Sequence, residues 1–449
     1  MPQAQDATKP TLEDFALKGN HLAKMTGVNV GTHAIPDAFI LMHTGVGCKY
    51  KTGAQLSASD WAEHPNRREA WTQVGEVQLI QGSGARIGPF ARTHWERRRS
   101  NFVVVVSAYF IELTGEDFRD VVKQTETTIP ADMAMIGTAA PNGGFYEGYA
   151  EVIQEVVKKI DWGVKPTNKR EAAILGHWFS RYEGDTKGDL MALKGLLRAV
   201  ALKSGPVLLS GTPYPDLLKA NASEFVLVMP YMGKKARRLK RLTKRELIPV
   251  DLPISTAGTD AFLRTVGAAT GFPSDRLEAW MDAQKAAVAK QLDILRDHVR
   301  HQALAVFADG PLAAGLVATL VELGIRTPVV GIRETWLGGK AGFLETLDRW
   351  GVQLWPDTEV IENPSLRLTL NKVNALRAEG RIQGIMASSH EITLFSRREQ
   401  GQMGGRRFAY LEVGFPTDHY HVALPTPTMG YTGTLTIAQR LLDAFAGYA

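Results

Sequence analysis

The chain has 449 residues, of which 44% are hydrophobic and 22% charged, with a formal net charge of +5, which is typical of a folded protein of two or three domains and excludes a disordered or fibrous chain. A single cysteine excludes an internal disulfide, the N-terminal segment is polar without an apolar signal region, and no run of 18 apolar residues is present. We therefore expect a cytoplasmic protein without a membrane span.

Short apolar runs alternate along the chain with longer segments of helical periodicity. Strands are predicted at 38–42, 102–106, 206–210, 303–307, 327–331 and 384–387, and helices at 260–270, 274–300, 310–323 and 434–445. Continuous apolar strands between amphipathic helices indicate parallel sheets covered on both faces. The sequence therefore predicts an α/β fold with three domains, at 1–160, 161–295 and 296–449, the last helix packing back across the chain.

Several polar residues follow predicted strands directly. Cys48, the segment 107–112, Asp309 and the segment 388–390 all have this position. Ligands of doubly wound sheets bind at the carboxyl ends of the strands. Each of these residues is therefore a candidate to border a cleft.

Cys48 ends the segment 43–48, which reads His-Thr-Gly-Val-Gly-Cys. Two glycines in a loop after a strand allow the backbone to approach a bulky group, and a thiolate is a metal ligand. The ordinary interpretation, a small buried residue without a role, has about equal weight. A lone thiolate cannot hold an iron-sulfur cluster, which takes about four ligands. A cluster at Cys48 would therefore lie at a subunit interface and take its other ligands from a partner chain.

Other motifs carry less information. No GxxxxGK[ST] phosphate-binding loop and no GxGxxG after a strand is present, so if ATP drives this system another protein binds it. The segment 418–421, Asp-His-Tyr-His, could bind a metal but is more often a surface loop. The basic run 234–245 lacks interleaved aromatic residues, which favours a solvated helix face over DNA or RNA binding.

Five segments, in this order, resemble the nitrogenase component 1 family. They are the cluster-ligand loop at 41–48, the segment 109–118 after the next strand, the elements at 248–263, the strand 305–309, and the Gly-Phe-Pro and Gly-Tyr-x-Gly signatures at 413–433. In the second of them, Tyr109 stands where the family has a cysteine. The resemblance covers nearly the whole chain.

The resemblance implies three Rossmann-like domains in a heterodimer of related subunits that pairs into a heterotetramer. It implies an ATP-hydrolysing iron protein that delivers electrons to an interface iron-sulfur cluster, 4Fe–4S or larger, shared with the alpha-type subunit. Cys48 is then this chain's metal ligand. Gly45 and Gly47 would let backbone amides approach the cluster, with a simple turn as the alternative, and Tyr109 and Glu112 would line the same cavity.

Departures from the family pattern narrow the choice. With Cys48 as its sole cysteine, the chain resembles a beta-type partner and not the subunit that holds an iron-molybdenum cofactor. A methylthio-alkane reductase, which cleaves carbon-sulfur bonds, is the first expectation and a cofactor-assembly scaffold the second. A tetrapyrrole (chlorophyllide-type) reductase subunit, a structural partner with an inert Cys48, and a metal-free α/β transferase remain alternatives.

Overall fold

The computed structural model describes residues 22–59, 68–138, 144–399 and 408–446. Its strands form three separate sheets, and every strand pair within them is parallel. Helices connect the strands, as parallel pairing requires. The predicted α/β class with parallel sheets is confirmed, whereas the exact domain boundaries remain a prediction.

The first sheet has the order β2-β1-β3-β4. Its strands are β1 (Ala38–His43), β2 (Glu69–Trp71), β3 (Phe102–Ser107) and β4 (Asp132–Ile136). Its helices are α1 (Lys24–His33), α2 (Val46–Ser59), α3 (Glu76–Gln81), α4 (Ile87–Arg98), α5 (Tyr109–Glu112), α6 (Arg119–Glu126) and α7 (Phe145–Lys159). β1 and β3 are buried along their full lengths, which explains their uninterrupted apolar sequences.

The second sheet repeats this arrangement with the order β6-β5-β7-β8. Its strands are β5 (Asn168–Leu175), β6 (Lys203–Val207), β7 (Ser223–Val228) and β8 (Leu247–Pro249). Its helices are α8 (Gly184–Ala199), α9 (Tyr214–Leu217), α10 (Ala236–Thr243), α11 (Ser255–Thr270) and α12 (Ser274–Val299). The basic run forms α10, which buries Leu239 and leaves Arg237, Arg238 and Arg241 exposed, as the prediction of a solvated helix face requires.

The third sheet has five strands in the order β11-β10-β9-β12-β13. Its strands are β9 (Ala303–Asp309), β10 (Arg326–Arg333), β11 (Glu359–Glu362), β12 (Gly384–Ala387) and β13 (Ala409–Glu412). Its helices are α13 (Gly310–Glu322), α14 (Gly339–Arg349), α15 (Leu366–Ala378), α16 (Ser389–Glu399) and α17 (Gly430–Ala446). This is the strand order 3-2-1-4-5 of dinucleotide-binding folds.

Helices α1 and α7 approach each other closely at two glycines. A Cβ on Gly27 of α1 would lie 1.8 Å from the carbonyl oxygen of Phe145, and a Cβ on Gly148 of α7 would lie 2.1 Å from the carbonyl oxygen of Lys24. α1 and α7 therefore touch through glycine backbones, and any side chain at either position would separate them.

Among the described helices, none combines the length and the apolar composition that a membrane crossing needs.

Candidate functional site

In the first sheet, the candidate residues lie where the order of the strands reverses. β1 lies between β2 and β3, so the carboxyl ends of β1 and β3 form a topological switch point, where ligands of open α/β sheets bind. His43 and Ser107, the last residues of these strands, pair with each other, and the Ala108 N–H donates to the His43 carbonyl at 3.0 Å. Cys48 and Tyr109 follow directly after these two strand ends.

Cys48 lies in the first turn of α2, and its side chain is exposed. The interpretation of the lone cysteine as a small buried residue is therefore wrong. The expectation of a loop around it is also wrong in part, because α2 begins at Val46 and only Thr44 and Gly45 separate it from β1. Backbone N–H groups in a first helical turn lack partners within the helix and favour negative charge nearby. Cys48 is thus a solvent-accessible thiol in the first turn of a helix.

The two glycines before Cys48 have different surroundings. A Cβ on Gly45 would lie 3.2 Å from the carbonyl oxygen of Val74, so this residue allows the loop to pack against the segment after β2. Among the described residues, none has an atom within 4 Å of a Cβ on Gly47. Packing against the described residues therefore explains Gly45 and gives no reason for Gly47.

Tyr109 and Glu112 belong to the short helix α5 after β3. Tyr109 is 53% exposed, so its phenol is available to a partner. Glu112 instead accepts a hydrogen bond from the Ser107 hydroxyl and another from the Thr138 N–H at 2.5 Å. Its carboxylate fastens the ends of β3 and β4 together, which is a positioning role at the edge of the sheet.

His43 does not have a free ring nitrogen for a metal. Nδ1 lies 2.9 Å from the Thr72 hydroxyl and Nε2 lies 2.9 Å from the Ser83 hydroxyl. Burial lowers the pKa of His43 to about 4, so the ring is neutral at pH 7. Glu116 accepts hydrogen bonds from the Ser83 N–H at 3.0 Å and from the Gly84 N–H at 3.0 Å. This network holds the segment between β2 and α4 against the end of β1.

Large apolar side chains are exposed around the same edge of the first sheet. Tyr50 is 75% exposed, Val46 68% and Leu113 67%, and Phe110 next to Tyr109 is 38% exposed. We call these residues, with Tyr109, the apolar rim. Clustered exposed apolar groups of this kind mark interaction surfaces.

Lys49 supplies positive charge next to Cys48. Its ammonium lies 3.7 Å from the carboxylate of Glu69 and 4.9 Å from the centre of the Trp71 ring. Burial raises the pKa of Glu69, and the Asn29 amide donates to its second oxygen at 3.0 Å. The pair ties the first turns of α2 to β2.

The carboxyl ends of the second and third sheets meet at a buried junction away from Cys48. The Asp309 carboxylate accepts hydrogen bonds from the hydroxyls of Tyr146 at 2.8 Å and Tyr231 at 3.2 Å. The rings of Phe145, Tyr146, Trp178, Tyr231 and Phe415 pack against one another around it. Sequence reasoning noted Asp309 but missed the aromatic residues, because they come from segments far apart in the chain with no shared motif.

The histidines of segment 418–421 do not converge on a metal site. His419 Nδ1 contacts Glu412 at 2.5 Å, whereas His421 Nδ1 contacts Glu183 at 2.7 Å. Over the described ranges, no group of three or more His, Cys, Asp or Glu side chains could hold a metal ion. Ser388, a further sequence candidate, bonds to Arg333 and Glu391 within the third sheet. Cys48, Tyr109 and Glu112 follow strands of the first sheet, whereas Asp309 ends β9 and Ser388 follows β12, which are neighbouring strands of the third sheet.

Comparison with known proteins covers most of the chain. A family model described as nitrogenase component 1 type oxidoreductase matches residues 23–446. The nitrogenase iron-iron protein beta chain of Rhodobacter capsulatus is 22% identical over 453 residues, covering 93% of this chain and 91% of that protein. The nitrogenase molybdenum-iron protein beta chain of Frankia alni is 22% identical over 239 residues, covering 52% of this chain and 41% of that protein.

Solved structures agree with the fold. Nitrogenase Cp1 at pH 6.5 superposes with a TM-score of 0.76 and 16% identity, covering 95% of this chain and 92% of that chain. The same protein at pH 5 gives a TM-score of 0.72 and 14% identity, covering 95% and 88%. At these identities the likeness establishes the fold alone.

Proposed function

Because this chain belongs to the family of nitrogenase component 1 type oxidoreductases, we propose that it is the beta-type subunit of a two-component reductase and shares an iron-sulfur cluster with an alpha-type partner. The observation that carries the proposal is the exposed thiol of Cys48 at the edge of the first sheet, surrounded by the apolar rim. Electrons would come from an ATP-hydrolysing iron protein, since this chain has no phosphate-binding loop.

The donor set fits one side of a shared cluster. Cys48 offers one sulfur ligand and Tyr109 one phenolic oxygen, both solvent-accessible, and the described residues include no group of three or more His, Cys, Asp or Glu that could hold a metal ion. A cluster needs about four ligands, so the remainder must come from the partner. The open space beside Gly47 leaves room for such a group to approach the backbone.

Two features support a beta-type role. The chain has no second cysteine that could ligate an active-site cofactor. Aromatic side chains pack closely around Asp309, where the carboxyl ends of the second and third sheets meet. Reduction of the substrate is therefore assigned to the partner subunit.

When bound, the cluster would supply a centre that accepts and releases single electrons. Cys48 would hold it through Sγ, and the first-turn amides of α2 would face the negative charge of the cluster. Tyr50 and Phe110, once covered by the partner, would exclude water from the edge. The hydrogen bonds of His43 and Glu116 to Ser83 would hold the neighbouring loop in place.

Iron and sulfide analysis with low-temperature EPR tests the cluster. The measurement is made on this chain purified anaerobically with its co-purifying partner. We expect several irons per heterodimer and a reducible signal, and we expect Cys48→Ala to lose iron or to change the signal. Thr52→Ala, which removes a hydroxyl that donates to the Cys48 carbonyl at 2.9 Å, serves as the control in the same helix.

An inert Cys48 predicts a different result. Iron content and spectrum would then be identical in wild type and Cys48→Ala, and the chain would be a structural partner only. A colourless, iron-free complex would contradict the proposal of a shared cluster. Cofactor assembly in place of catalysis would be indicated by a complex that releases its metal cluster to an acceptor protein and turns over no substrate.

For the substrate we propose methylthio-alkanes. The single-cysteine pattern and the cysteine at position 48 support a nitrogenase-like reductase outside the nitrogen-reducing subunits. The reaction to test is ethyl methyl sulfide with two electrons and two protons giving ethane and methanethiol, in which one carbon-sulfur bond breaks and each fragment gains hydrogen. Methanethiol release that depends on ATP and the iron protein supports the assignment. A reducible cluster without thiol release would reject this substrate and leave the electron-transfer proposal intact.

A further inference from the structure

A cavity of about 110 Å³ lies between the second and third sheets, next to Trp178 and Tyr231 of the aromatic junction. Much of its wall is apolar and comes from α13, β12, β13 and the segment before α17. These residues are Leu312, Leu316, Met386, Leu411, Val413 and Met429. A group of polar side chains, Arg181, Asp185, Asp189, Tyr420 and Arg440, completes the lining. The cavity thus combines an apolar wall with a cluster of polar side chains, as sites for small molecules commonly do.

Arg440 is the unusual member of the polar cluster. Its Nη2 donates to the carbonyl oxygen of Glu412 at 2.7 Å, and its guanidinium lies 3.8 Å from the centre of the Tyr420 ring. Its Nε has no hydrogen-bond partner, and no carboxylate of the described residues forms an ion pair with it. Burial lowers the pKa of Arg440. A guanidinium has five N–H donors, so most of the hydrogen-bonding capacity of this side chain is unused.

Arg181 shows the contrast. Its guanidinium contacts Asp185 at 2.5 Å and Glu183 at 3.4 Å, and it donates to the carbonyl oxygen of Tyr420 at 2.7 Å. This arginine is fully engaged by groups of the chain itself. Arg440 is therefore the side chain of the lining with donors to offer a ligand.

The charges of the lining favour a neutral ligand. The guanidiniums of Arg181 and Arg440 are balanced by the carboxylates of Asp185 and Glu412, which line the same cavity. Burial raises the pKa of Asp189 to about 7, so this carboxyl adds at most a partial negative charge at neutral pH. An anion would be repelled by Asp185 and Glu412, and a cation would be repelled by Arg440.

We propose that this cavity is a binding site for a small neutral alcohol, whose oxygen accepts a hydrogen bond from Arg440 and whose alkyl chain contacts Leu312 and Met386. A hydroxyl suits the polar cluster because it can accept from a guanidinium and donate to the Asp185 carboxylate at the same time. A cavity of comparable size lined by aliphatic residues holds benzene, which limits the ligand to about five or six non-hydrogen atoms.

The test titrates the full chain, purified with its partner, with 1-butanol and separately with sodium butyrate, followed by ligand-observed NMR. Saturable 1-butanol binding is expected, with butyrate at least about tenfold weaker. Leu312→Phe, which fills the cavity, and Arg440→Leu, which removes the donors, should each weaken 1-butanol binding by about tenfold or more. Leu344→Phe and Arg237→Leu make the same changes at exposed positions and should bind as wild type does.

Three results would overturn the proposal. One is absence of saturable 1-butanol binding to the folded complex. Another is binding that survives both Leu312→Phe and a second cavity-filling variant, Met386→Phe, since the site would then lie elsewhere. The third is butyrate binding as tightly as 1-butanol, which contradicts the neutral class. Circular dichroism and co-purification of the partner establish that each variant is folded.

Discussion

At the scale of single residues, the ring of His177, just after β5, is fully buried without hydrogen-bond partners among the described residues. Burial lowers the pKa of His177 from 6.5 to about 4. The folded chain therefore keeps this ring neutral at a pH where the unfolded chain protonates it.

The pKa of His177 predicts acid destabilisation of a defined size. Above pH 6.5, the ring is neutral in both the folded and the unfolded chain, so His177 gives the free energy of unfolding no pH dependence. As the pH drops from 6.5 towards 4, the free energy of unfolding falls by about 1.4 kcal/mol per pH unit at most. His177→Leu should therefore unfold at a higher temperature than wild type at pH 5, with a smaller difference at pH 8. Thermal unfolding across this range measures the effect, with His301→Leu on the surface as the control. Parallel pH profiles for His177→Leu and wild type would mean that the buried ring does find a partner.

Gly47 supports a second prediction. It lies in the first turn of α2, and the space that a side chain would occupy there is open, so Gly47→Ala should leave the isolated chain as stable as wild type or up to about 1 kcal/mol more stable. If the space serves the shared cluster, the same variant lowers the iron content of the complex. The two measurements are a denaturation curve of the chain and iron analysis of the complex. Unchanged iron would show that no group approaches Gly47.

At the scale of elements, the segment 417–429, which we call the strap, lies across α8. The Gly184 N–H donates to the carbonyl oxygen of Val422 at 2.6 Å, and the Thr426 N–H donates to the carbonyl oxygen of Gly184 at 3.1 Å. A Cβ on Gly184 would lie 2.0 Å from the carbonyl oxygen of Leu424, and one on Gly188 would lie 2.5 Å from the nitrogen of Pro427. These two glycines form the surface on which the strap rests.

Alanine at either of these glycines should displace the strap. Gly184→Ala and Gly188→Ala are expected to destabilise the protein by about 1–3 kcal/mol, because backbone atoms cannot give way as a flexible side chain would. At Gly195 in the same helix, no atom of the described residues lies within 4 Å of an added Cβ, so Gly195→Ala should be neutral or slightly stabilising. Denaturation and limited proteolysis within the strap measure the difference. Equal behaviour of the three variants would contradict the packing argument.

The sequence predicts the continuous buried strands well, because a fully covered strand must be apolar throughout. β12 has the predicted bounds 384–387, and β9 and β10 extend the predicted runs by a few residues. The strand predicted at 206–210 was displaced. β6 runs Lys203–Val207 at a sheet edge, and Leu209 has a φ of 57°, which no strand allows. Apolar residues buried in a turn cannot be told from a strand by pattern alone.

The site shows the same limit. Sequence order predicts that Cys48 follows a strand, but the glycines at 45 and 47 are poor helix formers, so the start of α2 at Val46 was missed. The aromatic junction around Asp309 and the cavity beside Arg440 depend on contacts between distant segments, for which a single sequence carries no signal.

At the scale of the whole molecule, the apolar rim predicts where the partner subunit binds. Phe110→Glu or Tyr50→Glu introduces a charge into this surface and should shift the purified protein from heterodimer to separate chains, because a carboxylate cannot be buried there without a partner. Ile294→Glu, at a residue of α12 that is 52% exposed, is the control and should leave assembly intact. Size-exclusion chromatography with light scattering distinguishes these outcomes. Intact heterodimers with both rim variants would place the interface elsewhere.

The solitary, exposed position of Cys48 also has a practical consequence. A thiol-reactive dye attaches at one site only, so the native chain can be labelled specifically without removal of other cysteines. Labelling speed would follow subunit association in real time if the thiol becomes covered. In air, two unassembled copies can be oxidised to a disulfide-linked dimer through Cys48. The intensity of the dimer band on a non-reducing gel would then report the fraction of chains without a bound partner.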